Sequence, residues 1–138
     1  MAAAVINSST TIAWFMPDEH DARSEQLLDL VTEEGALVPG LWPIEVANAL
    51  LFAVRRNRVS RTHCERALKC LARLPIEIDT ETTARAWGPT FEVAVRFGLT
   101  IYDATYLELA QRHELPLASL DRELRAAGRA LGLKLLGV

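Results

Sequence analysis

Short apolar segments alternate with helical segments along the whole chain, and this alternation limits the fold more than any other feature. The order is β-α-α-β-α-α-β-α-α-β-α-β. Strands joined by helical crossovers pair in parallel, with helices packed against the sheet. We therefore expect an α/β fold with a mostly parallel central sheet flanked by helices on both faces. The five candidate strands are AAVI (3–6), ALVP (36–39), PIEID (75–79), LPLASL (115–120) and LKLLGV (133–138).

Helical periodicity and helix-end signals define the segments between the strands. The clearest pattern covers 43–57, where Val46, Leu50 and Ala53 fall on one apolar stripe. Gly88 and Pro89 should break one long helical segment into two pieces, because both residues disfavour a helix interior. The other predicted helices cover 9–16, 21–35, 60–74, 80–98 with this break, 102–113 and 121–132.

Length and composition indicate one globular domain. A chain of 138 residues with 50% hydrophobic residues is sufficient for a single core. No apolar run is long enough for a membrane span and the first residues do not resemble a signal peptide, so we expect a cytoplasmic protein. Cys64 and Cys70 lie six residues apart on one predicted helix, which places them on different faces and disfavours a mutual disulfide.

The net charge of −3 does not suggest a nucleic-acid binder, but the charges are unevenly distributed. Residues 1–50 hold eight acids and one base, whereas residues 51–73 hold seven bases and one acid. Arginine supplies most of these bases, and its planar guanidinium suits phosphate. A solvated helix face and a phosphate-binding track both fit this pattern. The candidate track residues are Arg55, Arg56, Arg58 and Arg61.

Four polar residues lie directly after a predicted strand or near the start of a predicted helix. They are Asn7, Glu45, Asp103 and Asp121. Side chains beyond the carboxyl ends of parallel strands meet in one crevice, so these four should lie close together. Each also has a structural explanation, because each could cap a helix or favour its first turn. The residues alone predict an acidic crevice of undefined purpose.

Three stretches together resemble a known family. They are VINSSTTIAWFMPDE (5–19), LWPIEVANAL (41–50) and LTIYDATYLELAQRHELPLASLDREL (99–124). In this order and spacing the chain resembles PIN-domain proteins, and most closely the VapC-type toxins of bacterial toxin-antitoxin pairs. The likeness covers nearly the whole chain, which implies a single PIN domain over 1–138.

The resemblance implies a metal-dependent endoribonuclease that uses Mg²⁺ or Mn²⁺. By position, the family's metal-binding acids match Glu45, Asp103 and Asp121. Small polar positions of the family match Ser9, Asn48 and Ser119. Asn7 stands where the family has its first aspartate. An amide there offers an oxygen without a charge, so we expect weak or absent nuclease activity, whether this residue was introduced, selected or natural.

The resemblance also implies partners, namely an RNA substrate, a cognate antitoxin protein and a second copy of the chain in a homodimer. Carboxylate oxygens suit Mg²⁺ and Mn²⁺, which activate water for phosphodiester attack without a histidine. His20, His63 and His113 are accordingly expected on helix surfaces away from the site. Two alternatives stay open from the sequence. One is a PIN scaffold that binds RNA or protein without cutting, and the other is a phosphoacceptor signalling domain, which Lys134 fits poorly.

Overall fold

The computed structural model describes residues 2–137, which form one five-stranded sheet in the order β3-β2-β1-β4-β5. Every strand pair is parallel, which confirms the predicted sheet. All five strands are shorter than predicted. In the third and fourth strands the late start has a clear cause, since Pro75 and Pro116 have no N–H and contribute only their carbonyls to the ladder. Val138, at the end of the last predicted strand, lies outside the described residues. The strands are β1 (Val5–Ile6), β2 (Ala36–Val38), β3 (Ile76–Ile78), β4 (Leu117–Ala118) and β5 (Leu135–Leu136).

Within residues 2–137, eight helices connect these strands. Three of them separate β3 from β4, because the break at Gly88 and Pro89 divides the predicted segment in two. Gly98 closes the second piece in the left-handed conformation that glycine adopts without strain. The helices are α1 (Ser8–Ala13), α2 (Ala22–Glu34), α3 (Trp42–Arg55), α4 (Arg61–Arg73), α5 (Thr82–Arg85), α6 (Pro89–Phe97), α7 (Ile101–His113) and α8 (Arg122–Ala130).

The segment after α1 differs from the sequence prediction. The helix ends at Ala13 instead of Met16, because Trp14 and Phe15 donate to carbonyls three residues back and tighten the chain into a turn. His20 was expected on a helix surface, but it lies in the loop before α2, since Asp21 is the N-cap of that helix.

The core covers both faces of the sheet. Val5 and Ile6 are successive residues of β1 and both have 0% exposure, which requires packing above and below the strand. Helix α7 packs against β1, β4, α6 and α8, and its residues from Ala104 to Ala110 are all buried. The helix that carries Asp103 is therefore fixed in the centre of the protein. None of the helices within 2–137 is long and apolar enough to cross a membrane.

A buried network of charges fixes the other end of α7. Arg112 donates to Asp79 at 2.9 Å and to Glu108 at 3.0 Å, and Arg85 donates to Glu108 at 2.9 Å. Burial raises the pKa of the Asp79 carboxyl, but the hydrogen bonds from Arg112 and Thr82 outweigh this and hold that pKa below its usual range. These pairs connect α7 to α5 and to the end of β3.

Candidate active site

The first candidate residue, Asn7, lies directly after β1 and is the N-cap of α1. Its side-chain Oδ1 accepts a hydrogen bond from the Ser9 N–H at 2.9 Å. Its backbone N–H donates to the carbonyl of Ala118 in the neighbouring strand β4 at 2.8 Å. The side chain is 5% exposed, so the capping oxygen is held in a fixed position. The predicted cap is confirmed, with the helix starting at Ser8 instead of Ser9.

The loop after β4 places Asp121 beside this strand end. Asp121 is the N-cap of α8, and its Oδ2 accepts a hydrogen bond from the Leu124 N–H at 2.7 Å. The buried Ser119 hydroxyl oxygen accepts the Asp121 N–H at 3.0 Å. Ser9 reaches the same loop, since its Oγ accepts the Leu120 N–H at 3.1 Å. The two serines therefore fix the path of the loop that presents Asp121.

Glu45 lies in the first turn of α3, after β2. Its Oε1 accepts a hydrogen bond from the Tyr106 hydroxyl of α7 at 2.5 Å. Burial, followed by the hydrogen bond to Glu45, raises the pKa of the Tyr106 phenol far above its usual range. Asn48 is exposed one turn further along the same helix, and its position there agrees with the predicted face of Glu45.

Asp103 lies in the first turn of α7, where its N–H donates to the Thr100 hydroxyl at 3.1 Å. Burial raises the pKa of the Asp103 carboxyl, and the negative charges of Asp121 and Glu45 raise it further. Asp103 therefore lies near enough to Glu45 and Asp121 for their charges to act on it, although more than fifty residues separate Glu45 from the other two. This grouping follows from the fold, since the three carboxylates come from different helices.

These residues have the donor chemistry that a hard divalent cation requires. Glu45 and Asp121 each commit one carboxylate oxygen to a protein hydrogen bond, which leaves the second oxygen for a cation. Within residues 2–137, no three histidine, cysteine, aspartate or glutamate side chains are already grouped so that they could hold a metal ion. A bound cation would therefore have to draw the carboxylates together.

The predicted basic track is divided in the structure. Arg58 donates to Asp18 at 3.0 Å and to Glu19 at 2.9 Å, and Arg61 donates to Glu65 at 3.1 Å. Acidic partners therefore balance the charge of both residues.

Arg55 and Arg56, at the end of α3, make no ion pair with any residue that the structure describes. Both are exposed, and the Arg56 guanidinium lies 5.7 Å from the centre of the Phe52 ring. Glu45 lies about 15 Å away along the helix axis, at 1.5 Å per residue. Of the four arginines in the predicted track, the two without an acidic partner thus lie at the end of the helix that also carries Glu45.

The remaining residues that the sequence raised as candidates have other contacts or positions. The His63 ring nitrogen lies 2.6 Å from the Phe15 carbonyl oxygen, and His20 lies 3.8 Å from Glu25. Lys134 directly precedes β5, at the amino ends of the strands and opposite the acids, which agrees with its poor fit to a phosphoacceptor domain. Cys64 and Cys70 are free, as predicted.

Tyr106 is the residue of this site that the sequence analysis did not assign. Its position three residues after Asp103 fits a core residue, and it is indeed 0% exposed. The signal that could have identified it is the spacing in YDATY (102–106), where Tyr106 follows the candidate acid by one helical turn.

We predict that Asp103→Asn stabilises the protein at pH 7 without divalent cations, by about 0.5–2 kcal/mol, the range typical of an improved charge arrangement. Because its pKa is raised in the fold, Asp103 favours folding when it is protonated and loses this contribution as pH rises through its folded pKa. Urea unfolding in EDTA measures the difference, which should shrink as pH falls toward about 4.

The matched control is Asp29→Asn, which removes a carboxylate from the exposed face of α2. Equal changes in the free energy of unfolding at pH 7 for the two substitutions would contradict a specific repulsion of Asp103 by Asp121 and Glu45.

Comparisons with known proteins agree with this architecture. The PIN domain family matches residues 4–130. Ribonuclease VapC3 of Pyrobaculum aerophilum is 28% identical over 120 residues, which cover 87% of this chain and 90% of that relative. The crystal structure of PAE2754 from Pyrobaculum aerophilum superposes with a TM-score of 0.71 and 27% identity, covering 97% of this chain and 83% of the other.

The crystal structure of FitAcB from Neisseria gonorrhoeae superposes with a TM-score of 0.64. It covers 97% of this chain and 96% of the other, and at 13% identity it supports the fold alone. The match to the family spans most of the sequence, including the four candidate site residues Asn7, Glu45, Asp103 and Asp121. This chain belongs to the PIN-domain family.

Proposed function

We propose that this chain is a VapC-type toxin, a Mg²⁺- or Mn²⁺-dependent endoribonuclease of a toxin-antitoxin pair, whose activity is weak or absent because Asn7 replaces the first metal-binding aspartate. The observation that carries the proposal is that a PIN fold brings Glu45 and Asp121 near Asp103. Tyr106, one turn after Asp103, donates to Glu45, and the charges of Glu45 and Asp121 add to the effect of burial in raising the pKa of Asp103. The similarity to Ribonuclease VapC3 supports the same reaction class. The site of action would be the cytoplasm, where RNA is available.

Each residue of the site has a role in this reaction. Glu45, Asp103 and Asp121 would hold the cation through their carboxylate oxygens. The side-chain amide oxygen of Asn7, Oδ1, would be a fourth, uncharged ligand atom. Such a cation neutralises charge on the scissile phosphate and lowers the pKa of bound water. Ser9 and Ser119 keep the Asp121 loop in place, as their hydrogen bonds indicate.

Asn48 would add a neutral amide beside Glu45, one turn along α3, where it could orient that carboxylate or a water molecule. The substitution at position 7 weakens this arrangement in two ways. An amide oxygen attracts a divalent cation less than a carboxylate does, and the Asn7 Oδ1 already accepts the Ser9 N–H. We therefore expect the chain to fold well and to cleave RNA slowly or not at all.

Restoring the carboxylate tests this assignment. We predict that Asn7→Asp increases RNA cleavage in the presence of Mg²⁺ or Mn²⁺ by at least about 100-fold, a typical effect of restoring a charged group that stabilises a transition state. Cleavage of total cellular RNA, followed on gels and by sequencing of the products, measures the effect and identifies the preferred site.

A second variant with both Asn7→Asp and Asp103→Asn has the same net charge as the unchanged chain and should remain inactive. If the unchanged chain cleaves as fast as Asn7→Asp, the role given to position 7 is wrong. If neither cleaves, the alternative of a PIN scaffold that binds RNA or protein without cutting is favoured.

The RNA would approach the acids along α3. Arg55 and Arg56 provide exposed positive charge on this helix, whereas Arg58 and Arg61 are balanced by acidic partners and should contribute less. Phosphate contacts release counterions, so their number determines how steeply binding weakens with salt.

Accordingly, the double substitution Arg55→Glu and Arg56→Glu should weaken RNA binding about tenfold or more in low salt and reduce the slope of log affinity against log salt by about 1–2. Fluorescence anisotropy with labelled single-stranded RNA measures both quantities. The double substitution Arg129→Glu and Lys134→Glu, at two exposed positions away from α3, makes the same change in net charge and is the control. An unchanged affinity and slope in the double variant would eliminate the track.

We further propose that the chain forms a homodimer and is bound by a cognate antitoxin protein. The surface for the second copy is an exposed stripe of Trp87, Phe91 and Val95, which lie one turn apart on and before α6 and are 97%, 54% and 69% exposed. Trp87 alone exposes roughly 200 Å². Exposed Glu92 and Arg96 beside the stripe carry opposite charges, which permits self-complementary pairing across a two-fold axis.

Phe91→Asp should shift the dimer to monomers, because it buries an unpaired charge in the proposed interface. Sedimentation velocity at micromolar concentration measures the change. Leu68→Asp introduces the same charge on an exposed leucine of α4 and should leave the dimer intact. A monomeric unchanged chain would contradict the proposed dimer.

A further inference from the structure

The Tyr106 hydroxyl makes an unusual contact for a core residue. The ring is 0% exposed in the centre of α7, yet its hydroxyl donates to Glu45 Oε1 on α3 at 2.5 Å. A buried tyrosine hydroxyl requires a hydrogen-bond partner, and backbone carbonyls are abundant in a core. Here the partner is instead the half-buried carboxylate of Glu45, one of the three candidate acids.

The contact determines which carboxylate oxygen of Glu45 is engaged inside the protein. An ionised carboxylate only accepts hydrogen bonds, so the phenol must be the donor. Oε1 therefore accepts a hydrogen bond from the rigid, buried Tyr106 side chain, and Oε2 remains available to bind a cation. A charge-assisted bond of this length is also stronger than one between neutral groups, so it restricts the rotamers of the long glutamate side chain.

Tyr106 and Asp103 lie on the same helix, one turn apart. The hydrogen bond to Glu45 thus connects the helix that carries one acid to the side chain of another, across 61 residues of sequence. Of the described contacts at this site, it is the one that fixes the Glu45 carboxylate relative to α7.

We propose that Tyr106 is a positioning residue of the metal site, which orients Glu45 so that its Oε2 faces the cation. This inference rests on the proposed metal-dependent function and adds to it a residue that holds a ligand without touching the metal or the RNA. Groups that orient metal ligands in this way typically contribute 10- to 100-fold to metal affinity.

Tyr106→Phe tests the proposal because it removes only the hydroxyl and keeps the buried ring. In the Asn7→Asp background we expect Mn²⁺ to bind about 10-fold more weakly. The signal of free Mn²⁺ in electron paramagnetic resonance gives the dissociation constant without any cleavage assay. Tyr102→Phe is the matched control, since it removes a hydroxyl from the same helix at a side chain that is 60% exposed.

A purely structural role predicts a different result. It would lower the melting temperature in EDTA while leaving the Mn²⁺ dissociation constant of the folded protein unchanged, and that outcome overturns the proposal. The double-mutant cycle with Glu45→Gln gives a second test, because removal of the Tyr106 hydroxyl should then weaken Mn²⁺ binding far less. An equal loss in both backgrounds would show that Tyr106 does not act through Glu45.

Failure of the proposed function is distinguishable from failure of this inference. If the Asn7→Asp chain binds no Mn²⁺ although it is folded, the metal site itself is wrong and the inference falls with it. If that chain binds Mn²⁺ and Tyr106→Phe binds it equally well, only the role of Tyr106 is refuted.

Discussion

The parallel pairing of β1 with both of its neighbours is the constraint on which the rest of the site depends. Val5 lies opposite Leu37 of β2 and Leu117 of β4, so three strands end at the same edge of the sheet. The chain must turn into a helix after each of them, and the first residues of those helices meet there. Asn7 and Asp121 are both helix caps for this reason, and they are also candidate ligands.

The negative charges that a cation would require at this site also reduce the stability of the folded protein. Grouped carboxylates repel one another, and burial adds to the cost of each charge, as the raised pKa of Asp103 indicates. In the proposed function a divalent cation offsets this cost, because the same negative charges that repel one another attract the cation. An asparagine at position 7 relieves part of the repulsion and gives up part of the affinity. The replacement therefore changes both properties in opposite directions, which is the usual trade-off at active sites.

Local signals in the sequence were sufficient for the alternation of strands and helices along the chain, and this alternation predicted the parallel sheet. The helix boundary at Gly98 and the cap at Asn7 depend on residues only a few positions away, so the sequence predicts them well. Contacts between distant segments were not predictable in this way. The bond from Tyr106 to Glu45 and the ion pairs of Arg58 depend on how α3 packs against α7 and against the loop after α1, which no local pattern specifies.

The most direct test of this account is the position of a cation bound to the folded chain. Crystals of the Asn7→Asp variant soaked in Mn²⁺ and measured at the manganese absorption edge would locate it by anomalous scattering. We expect one strong peak contacted by the carboxylates of Glu45, Asp103 and Asp121, with Tyr106 still bonded to Glu45. A peak elsewhere, or none between these carboxylates at saturating Mn²⁺, would contradict the central claim.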